Sequence, residues 1–386
     1  MRRLSTKGIG MGMNGIRGLE RASLIFACVV WLTGFARAAD QPFITGCDVS
    51  MLPTIEKAGG VFSDNGKPGD AIQIMANHGC NLFRVRLFVK PDAEYMPSFG
   101  AVQDLDYVRG LAKRIKATGA IFLLDIHYSD GWADPGKQFT PEAWKNLGFD
   151  DLKKKVHDYT VSVMSALRDD GDTPDMVQVG NEITAGMLWP QGQVLDLPAG
   201  QDADTQWRHF ADLVDAGCKA VREFQTPTHP IRIVIHIHGG GKEGMAKYFF
   251  GKFKLDPADY DIVGLSFYPA WEDSIDYLKQ NMIDTVQLTG KDIVLAETAY
   301  PWKELPDKKG LATLLWPQTP QGQKQYLLDL TATLHAVSDH HGIGYIYWYP
   351  EAIPVQGYNI WRQGFEALFD QSGGALPALS ALGHHE

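Results

Sequence analysis

The sequence predicts an α/β protein built as a single (β/α)8 TIM barrel. Three observations predict it. Eight short apolar, strand-like runs recur along 386 residues. An amphipathic, helix-like segment follows most of them, the pattern of a parallel sheet covered on both faces. The turn after the first run, "CDVSMLPTIEKAGG", lacks the G-x-G-x-x-G phosphate loop that an open, doubly wound sheet carries there. A closed barrel satisfies all three.

The strand-like runs are, in order, "FITGCDV" 43–49, "LFRVRLF" 82–88, "IFLLDIH" 121–127, "MVQVGNE" 176–182, "IRIVIHIH" 231–238, "DIVGLSFY" 261–268, "DIVLAET" 292–298 and "GIGYIYW" 342–348. Most are rich in Val, Ile or Leu, and all are short enough for a buried strand. Between them lie helical segments. The clearest is 104–118, where Leu105, Val108, Leu111, Ala112 and Ile115 recur at helical spacing. Others fall near 69–79, 144–169, 205–224, 273–288 and 321–338, with a final helix expected near 375–382. The segment after the fifth run, "GKEGMAKYFFGKF", is short, and the "HGGGKEG" that leads into it lacks the spacing of a phosphate loop.

The N-terminus reads differently. Arg2, Arg3, Lys7, Arg17 and Arg21 precede an apolar run from Ser23 to Phe35, and Ala36-Arg37-Ala38 offers a small-x-small cleavage site. Residues 1–38 are therefore expected to be a signal peptide and 39–386 the barrel, exported to the periplasm or medium without stable membrane insertion. Six of the 36 Lys/Arg and one of the 46 Asp/Glu belong to the leader, so the body holds 30 against 45, a net charge of −15. That balance gives no footprint for nucleic acid and disfavours polyanionic ligands. Cys47, Cys80 and Cys218 remain after cleavage. Cys47 and Cys80 are expected at opposite ends of a barrel, so no pair should bond, and buried thiols are the ordinary outcome.

In a parallel barrel the reactive groups gather where the strands end. The first run ends in Asp48 and Ser50, and the second carries Arg84 and Arg86 on one side. Asp125, His127, Trp132 and Asp134 follow the third, and Asn181-Glu182 ends the fourth. His236 and His238 end the fifth, Tyr268 the sixth, Glu297 the seventh and Trp348 the eighth. A lone strand-end Glu is more often a structural partner of Arg than a catalyst. Two on one rim have a chemical use, glycoside cleavage, in which one carboxyl protonates the leaving oxygen and the other attacks the anomeric carbon. Arg86 would keep the attacking carboxylate ionised. Asn181 would hold a sugar hydroxyl, Tyr268 would donate to the nucleophile, and Trp348 would stack under the sugar. His127, His236 and His238 also permit a metal-hydrolase reading. It lacks the H-x-H expected on the first strand and any H-E-x-x-H, so no metal and no cofactor is expected.

Eight stretches, in order from first strand to last, carry a family resemblance. They are "GCDVSML" 46–52, "FRVRLFVKP" 83–91, "LDIHYSDGWADPGKQ" 124–138, "VQVGNEITAGMLWP" 177–190, "IVIH" 233–236, "VGLSFYP" 263–269, "VLAETAYPW" 294–302 and "YWYP" 347–350. Through them the chain resembles glycoside hydrolase family 53, the endo-β-1,4-galactanases, within a clan of retaining (β/α)8 glycosidases. The resemblance implies cleavage of β-1,4-galactan or type I arabinogalactan with retention, by a catalytic domain at 39–386. It implies Glu182 as acid/base and Glu297 as nucleophile, with Arg86, Asn181, His236, Tyr268 and Trp348 lining the cleavage subsite. Asp48, Asp125, His127, Asp134, Trp189 and Trp271 are placed with them as substrate-binding residues. Three departures stand out. Phe88 occupies a position that is often Trp, "YWYP" replaces the frequent "YWEP", with Glu351 two residues on, and the loop 303–320 holds only Glu304 and Asp307, too few oxygen ligands for a structural calcium. The chain is expected to act as a monomer on the polysaccharide. Rival readings are another retaining glycosidase of the clan, a β-mannanase or cellulase, and a sugar-binding barrel that has lost catalysis.

Overall fold

The computed structural model describes residues 42–91, 100–197, 199–256, 259–272, 274–306 and 314–383. The expected signal peptide lies outside the described residues.

In chain order the elements are β1 Ile44–Asp48, α1 Leu52–Lys57, a hairpin of β2 Phe62–Asp64 and β3 Lys67–Gly69, α2 Ala71–Asn77, β4 Leu82–Leu87, α3 Leu105–Lys116, β5 Ile121–Ile126, α4 Phe149–Asp169 and β6 Met176–Val179. A second small hairpin, β7 Gly186–Met187 with β8 Gly192–Gln193, precedes α5 Ala203–Arg222. Then come β9 Arg232–Ile237, α6 Met245–Lys252, β10 Ile262–Phe267, α7 Ile275–Thr289, β11 Asp292–Thr298, α8 Pro320–His335 and β12 Gly342–Tyr347. Strands β1, β4, β5, β6, β9, β10, β11 and β12 close into a parallel barrel, with β12 beside β1. All eight expected strands are present. The final segment is a 3-10 turn, Pro377–Ala381, in place of the expected α-helix. Helix α1 and the first hairpin occupy a stretch that hydrophobic spacing did not resolve.

The helices start where the sequence supplies a cap. Asp70, Asp104, Asp202, Ser274 and Thr319 each accept a hydrogen bond from the backbone N–H three residues on, at the first turns of α2, α3, α5, α7 and α8. Each such cap is worth about 1 kcal/mol.

Inside the barrel, one apolar side chain from each strand forms a closed ring: Ile44, Leu82, Leu123, Met176, Val234, Ile262, Val294 and Ile346. Side chains alternate along a strand, so the residues two and four positions on also face inward. On β4 those are Arg84 and Arg86, on β5 Asp125, on β6 Gln178, on β9 His236. The apolar ring is thus a floor, and the polar groups stand on it toward the carboxyl end of the strands.

Among the described residues, Cys47, Cys80 and Cys218 are buried free thiols. Cys47 and Cys80 are neighbours, contrary to the expectation from their strand positions. Cys47 pairs in register with Phe83, and the Cys80 thiol folds back to donate to Leu82 O at 3.2 Å, which brings the two together.

Candidate active site

A cavity of about 620 Å³ opens at the carboxyl end of the barrel, and both Glu182 and Glu297 line it. Two backbone irregularities put them there. Strand β6 stops at Val179, not at residue 182. Gly180 then takes a φ of 82° and Glu182 a φ of 46°. Such a turn is open to glycine and costs a bulky residue, and it swings Glu182 over the rim. On β11, strict alternation from Val294 would point Glu297 outward. A register shift pairs Leu265 with Leu295 but Ser266 with Glu297, and this bulge turns the carboxylate inward.

One guanidinium organises the floor. Arg84 is fully buried. Its Nη1 donates to Glu297 Oε1 at 2.8 Å and to Asp48 Oδ2 at 3.2 Å; its Nη2 donates to Asn181 Oδ1 at 2.7 Å and to Asp125 Oδ2 at 2.8 Å. Burial opposes the charge on Arg84, but Asp125, Glu297 and Asp48 together raise its pKa above the ordinary value. The role expected of Arg86 therefore falls to Arg84. Both face inward, but Arg84 starts two residues deeper on β4, and its guanidinium is the one that bonds Asp48, Asp125 and Glu297. Arg86 instead places its guanidinium 4.0 Å from the ring centroid of Trp132 and 3.9 Å from Asp48. That is a cation–π contact with a cavity-lining indole.

The two glutamates have different surroundings. Tyr268 donates its hydroxyl to Glu297 Oε2 at 2.8 Å, completing with Arg84 a set of donors to both oxygens. Burial raises the Glu297 pKa, and Arg84 and Tyr268 pull it back. Glu182 is pushed well above the carboxylate range, first by burial and then by the charge of Glu297. Its one hydrogen-bond partner among the described residues, apart from backbone contacts, is Ser266 Oγ at 2.6 Å. Glu297 is the stronger acid of the two and ionises first.

His236 sits behind Glu182, fully buried, with a pKa held well below the usual histidine range by burial and by Arg84. With Glu182 ionised, Ser266 gives it its single hydrogen, so a neutral His236 donates from Nε2 to Ser266 Oγ at 2.9 Å. Nδ1 then accepts from Gln178 Nε2 at 3.1 Å. His236 supports the rim and does not touch the cavity.

Of the residues expected to bind substrate, Asp134, Asn181, Tyr268, Trp271 and Trp348 line the cavity. Asp48, Arg86, Asp125 and His127 are buried beneath it, with Asp125 bonded to Arg84 and to Gln178 and His127 against Asp125 at 3.0 Å. Trp189 stands outside it, its Nε1 bonded to Ala185 O at 3.0 Å. Phe88 provides no stacking platform: it is fully buried, edge-on to His127 and Trp132. Glu351 does not replace a cavity carboxylate either. It is buried, accepting from Met51 N at 2.9 Å. Among the residues the sequence reading did not assign as binding are Trp132, Lys137, His238, Lys242, Asn359 and Trp361 on the wall. Trp361 packs 5.8 Å from Trp271, and the two form a continuous aromatic side. Burial, with Lys242 nearby, lowers the His238 pKa to about 4, and its Nδ1 lies 2.7 Å from Thr184 Oγ1. It is neutral near pH 7. The loop 303–320, considered for calcium, falls partly on 307–313, outside the described residues.

The family model described as glycosyl hydrolase family 53 matches residues 44–382. The chain belongs to that family. It is 38% identical over 360 residues to an uncharacterized protein of Niallia circulans, covering 89% of this chain and 94% of that one. It is 32% identical to an arabinogalactan endo-β-1,4-galactanase of Cellvibrio japonicus, covering 93% and 94%. Among solved structures, the family 53 catalytic domain of Ignisphaera aggregans superposes with a TM-score of 0.77 at 32% identity, over 88% of this chain and 95% of that one. As a family 53 member with two carboxylates in one rim cavity, the chain is a glycosidase. No described helix is long and apolar enough to cross a membrane.

Proposed function

We propose that the chain is an exported, retaining endo-β-1,4-galactanase that works as a monomer, with Glu297 as nucleophile and Glu182 as acid/base. The observation that carries this is the asymmetry of the two glutamates in one cavity. Glu297 is held by a buried cation and a phenol, and Glu182 is left to its burial and one hydroxyl. The likeness to the Cellvibrio arabinogalactan endo-β-1,4-galactanase supports β-1,4-galactan as the polymer.

In the first step a Glu297 oxygen bonds to the anomeric carbon. The bond to the leaving oxygen breaks, and Glu182 gives that oxygen its proton. Glu182, now ionised, then takes a proton from water. The resulting hydroxide equivalent attacks the anomeric carbon and displaces Glu297, restoring the starting configuration. Trp132, Trp348, Trp271 and Trp361 supply apolar faces for sugar rings. The basic, then apolar N-terminal sequence supports export.

The test is hydrolysis of β-1,4-galactan, mannan and cellulose side by side, with the anomer of the first product read by NMR. Release of β-configured ends from galactan alone is expected. An inverted first product, or full turnover by Glu297→Gln, would overturn the mechanism. Binding of galactan without release of reducing ends would favour a non-catalytic barrel. N-terminal sequencing of exported protein should begin at Ala39.

A further inference from the structure

Outside the cavity, on the side of Glu182, an aromatic pair has no part in the chemistry above. Phe139 exposes 58% of its surface. Its ring meets that of Trp189 nearly perpendicular, with centroids 6.2 Å apart. Isolated exposed apolar residues are ordinary, but this one is braced. Residues 139 and 189 pair in a parallel bridge. Trp189 N donates to Gln138 O at 2.7 Å, and Thr140 Oγ1 donates to Trp189 O at 2.8 Å. With the indole Nε1 also bonded to Ala185 O, the ring that supports Phe139 cannot rotate freely.

The pair is continuous with the cavity. Asp134 and Lys137, joined by an antiparallel bridge, line the wall, and Phe139 follows Lys137 by two residues, about 7 Å of extended chain. The intervening Gln138 reaches the other way, donating from Nε2 to Asn181 O at 2.8 Å and Glu182 O at 3.3 Å. The ledge is therefore tied to the backbone that carries Glu182. Its surface is the exposed ring of Phe139 beside the partly buried Thr140, which suits the apolar face of an uncharged sugar ring.

We propose that Phe139, braced by Trp189, is a distal sugar-stacking residue that holds a long galactan chain where it leaves the cavity past Glu182. This deepens the galactanase reading and rests on it.

The test compares Phe139→Ala and Phe139→Tyr with the unaltered protein on long β-1,4-galactan and on galactotriose. The ratio of kcat/KM for the polymer to that for the trimer is expected to fall about three- to ten-fold in Phe139→Ala, through KM, and to recover in Phe139→Tyr. An unchanged ratio, or equal losses on both substrates, would overturn the ledge. If the unaltered protein degrades mannan and not galactan, the substrate reading fails, and the same comparison with mannan and mannotriose decides the ledge.

Discussion

Arg84 and Glu297 meet at 2.8 Å, guanidinium Nη1 to carboxylate Oε1, and the cation is wholly buried. The same cation binds Asp48 and Asp125, so it stands between three carboxylates that would otherwise repel one another. Removing one partner from such a cluster leaves uncompensated buried charge, at a typical cost of about 3–5 kcal/mol.

Arg84→Lys keeps the charge and loses the forked contacts. The expected result is a kcat about 100-fold lower. With less cationic stabilisation the Glu297 pKa rises, so the acid limb of kcat/KM moves to higher pH. A pH–rate profile checks the direction.

Ser266→Ala removes the hydrogen bond that favours ionised Glu182. The protonated form gains, and the alkaline limb moves upward by about one pH unit or less. The acid limb, set by Glu297, should stay in place, which separates this effect from a general disturbance of the site.

Glu351 should make stability pH-dependent. Burial, then Asp48, pushes its carboxyl up to about 8. Between the unfolded value near 4.3 and that figure, the unfolded chain has released a proton that the folded chain keeps, so stability falls as pH rises through this window. Glu351→Gln preserves the acceptor for Met51 N and cannot ionise. Thermal melts should show the variant more stable than the unaltered protein at pH 8, with the advantage gone at pH 4.

The apolar ring makes a prediction about stability alone. Leu123→Ala should lose about 2–5 kcal/mol in denaturant unfolding. KM should hold, because Leu123 lies beneath the polar layer and touches no cavity wall.

The barrel and the placement of both glutamates on one rim were legible because strand-like runs ended in polar residues. The depth of each group was not. Arg84 and Arg86 look alike to a period-two reading: the register with β1 sets Arg84 beside Asp48, that with β5 pairs Arg86 with Asp125, and it is the reach of the Arg84 side chain that brings its guanidinium to Asp125 and Glu297. The bulge on β11 is invisible in "DIVLAET", although without it Glu297 faces the helices. His236 ended a strand as expected, but inward alternation placed it under the rim. Trp361 follows the last strand in an irregular stretch with no periodicity to mark it. Ser266 had a readable signal, since it ends "VGLS" two steps after Gly264 on the inward face, yet a lone serine names no partner.

The ring from Ile44 to Ile346 has a further consequence. A plugged base leaves no tunnel, so no strand of polymer can be threaded through the molecule from a free tip. Such a strand has to be laid sideways across the open mouth, at whatever point along its length first falls into place, and the resulting nicks should be scattered through its interior.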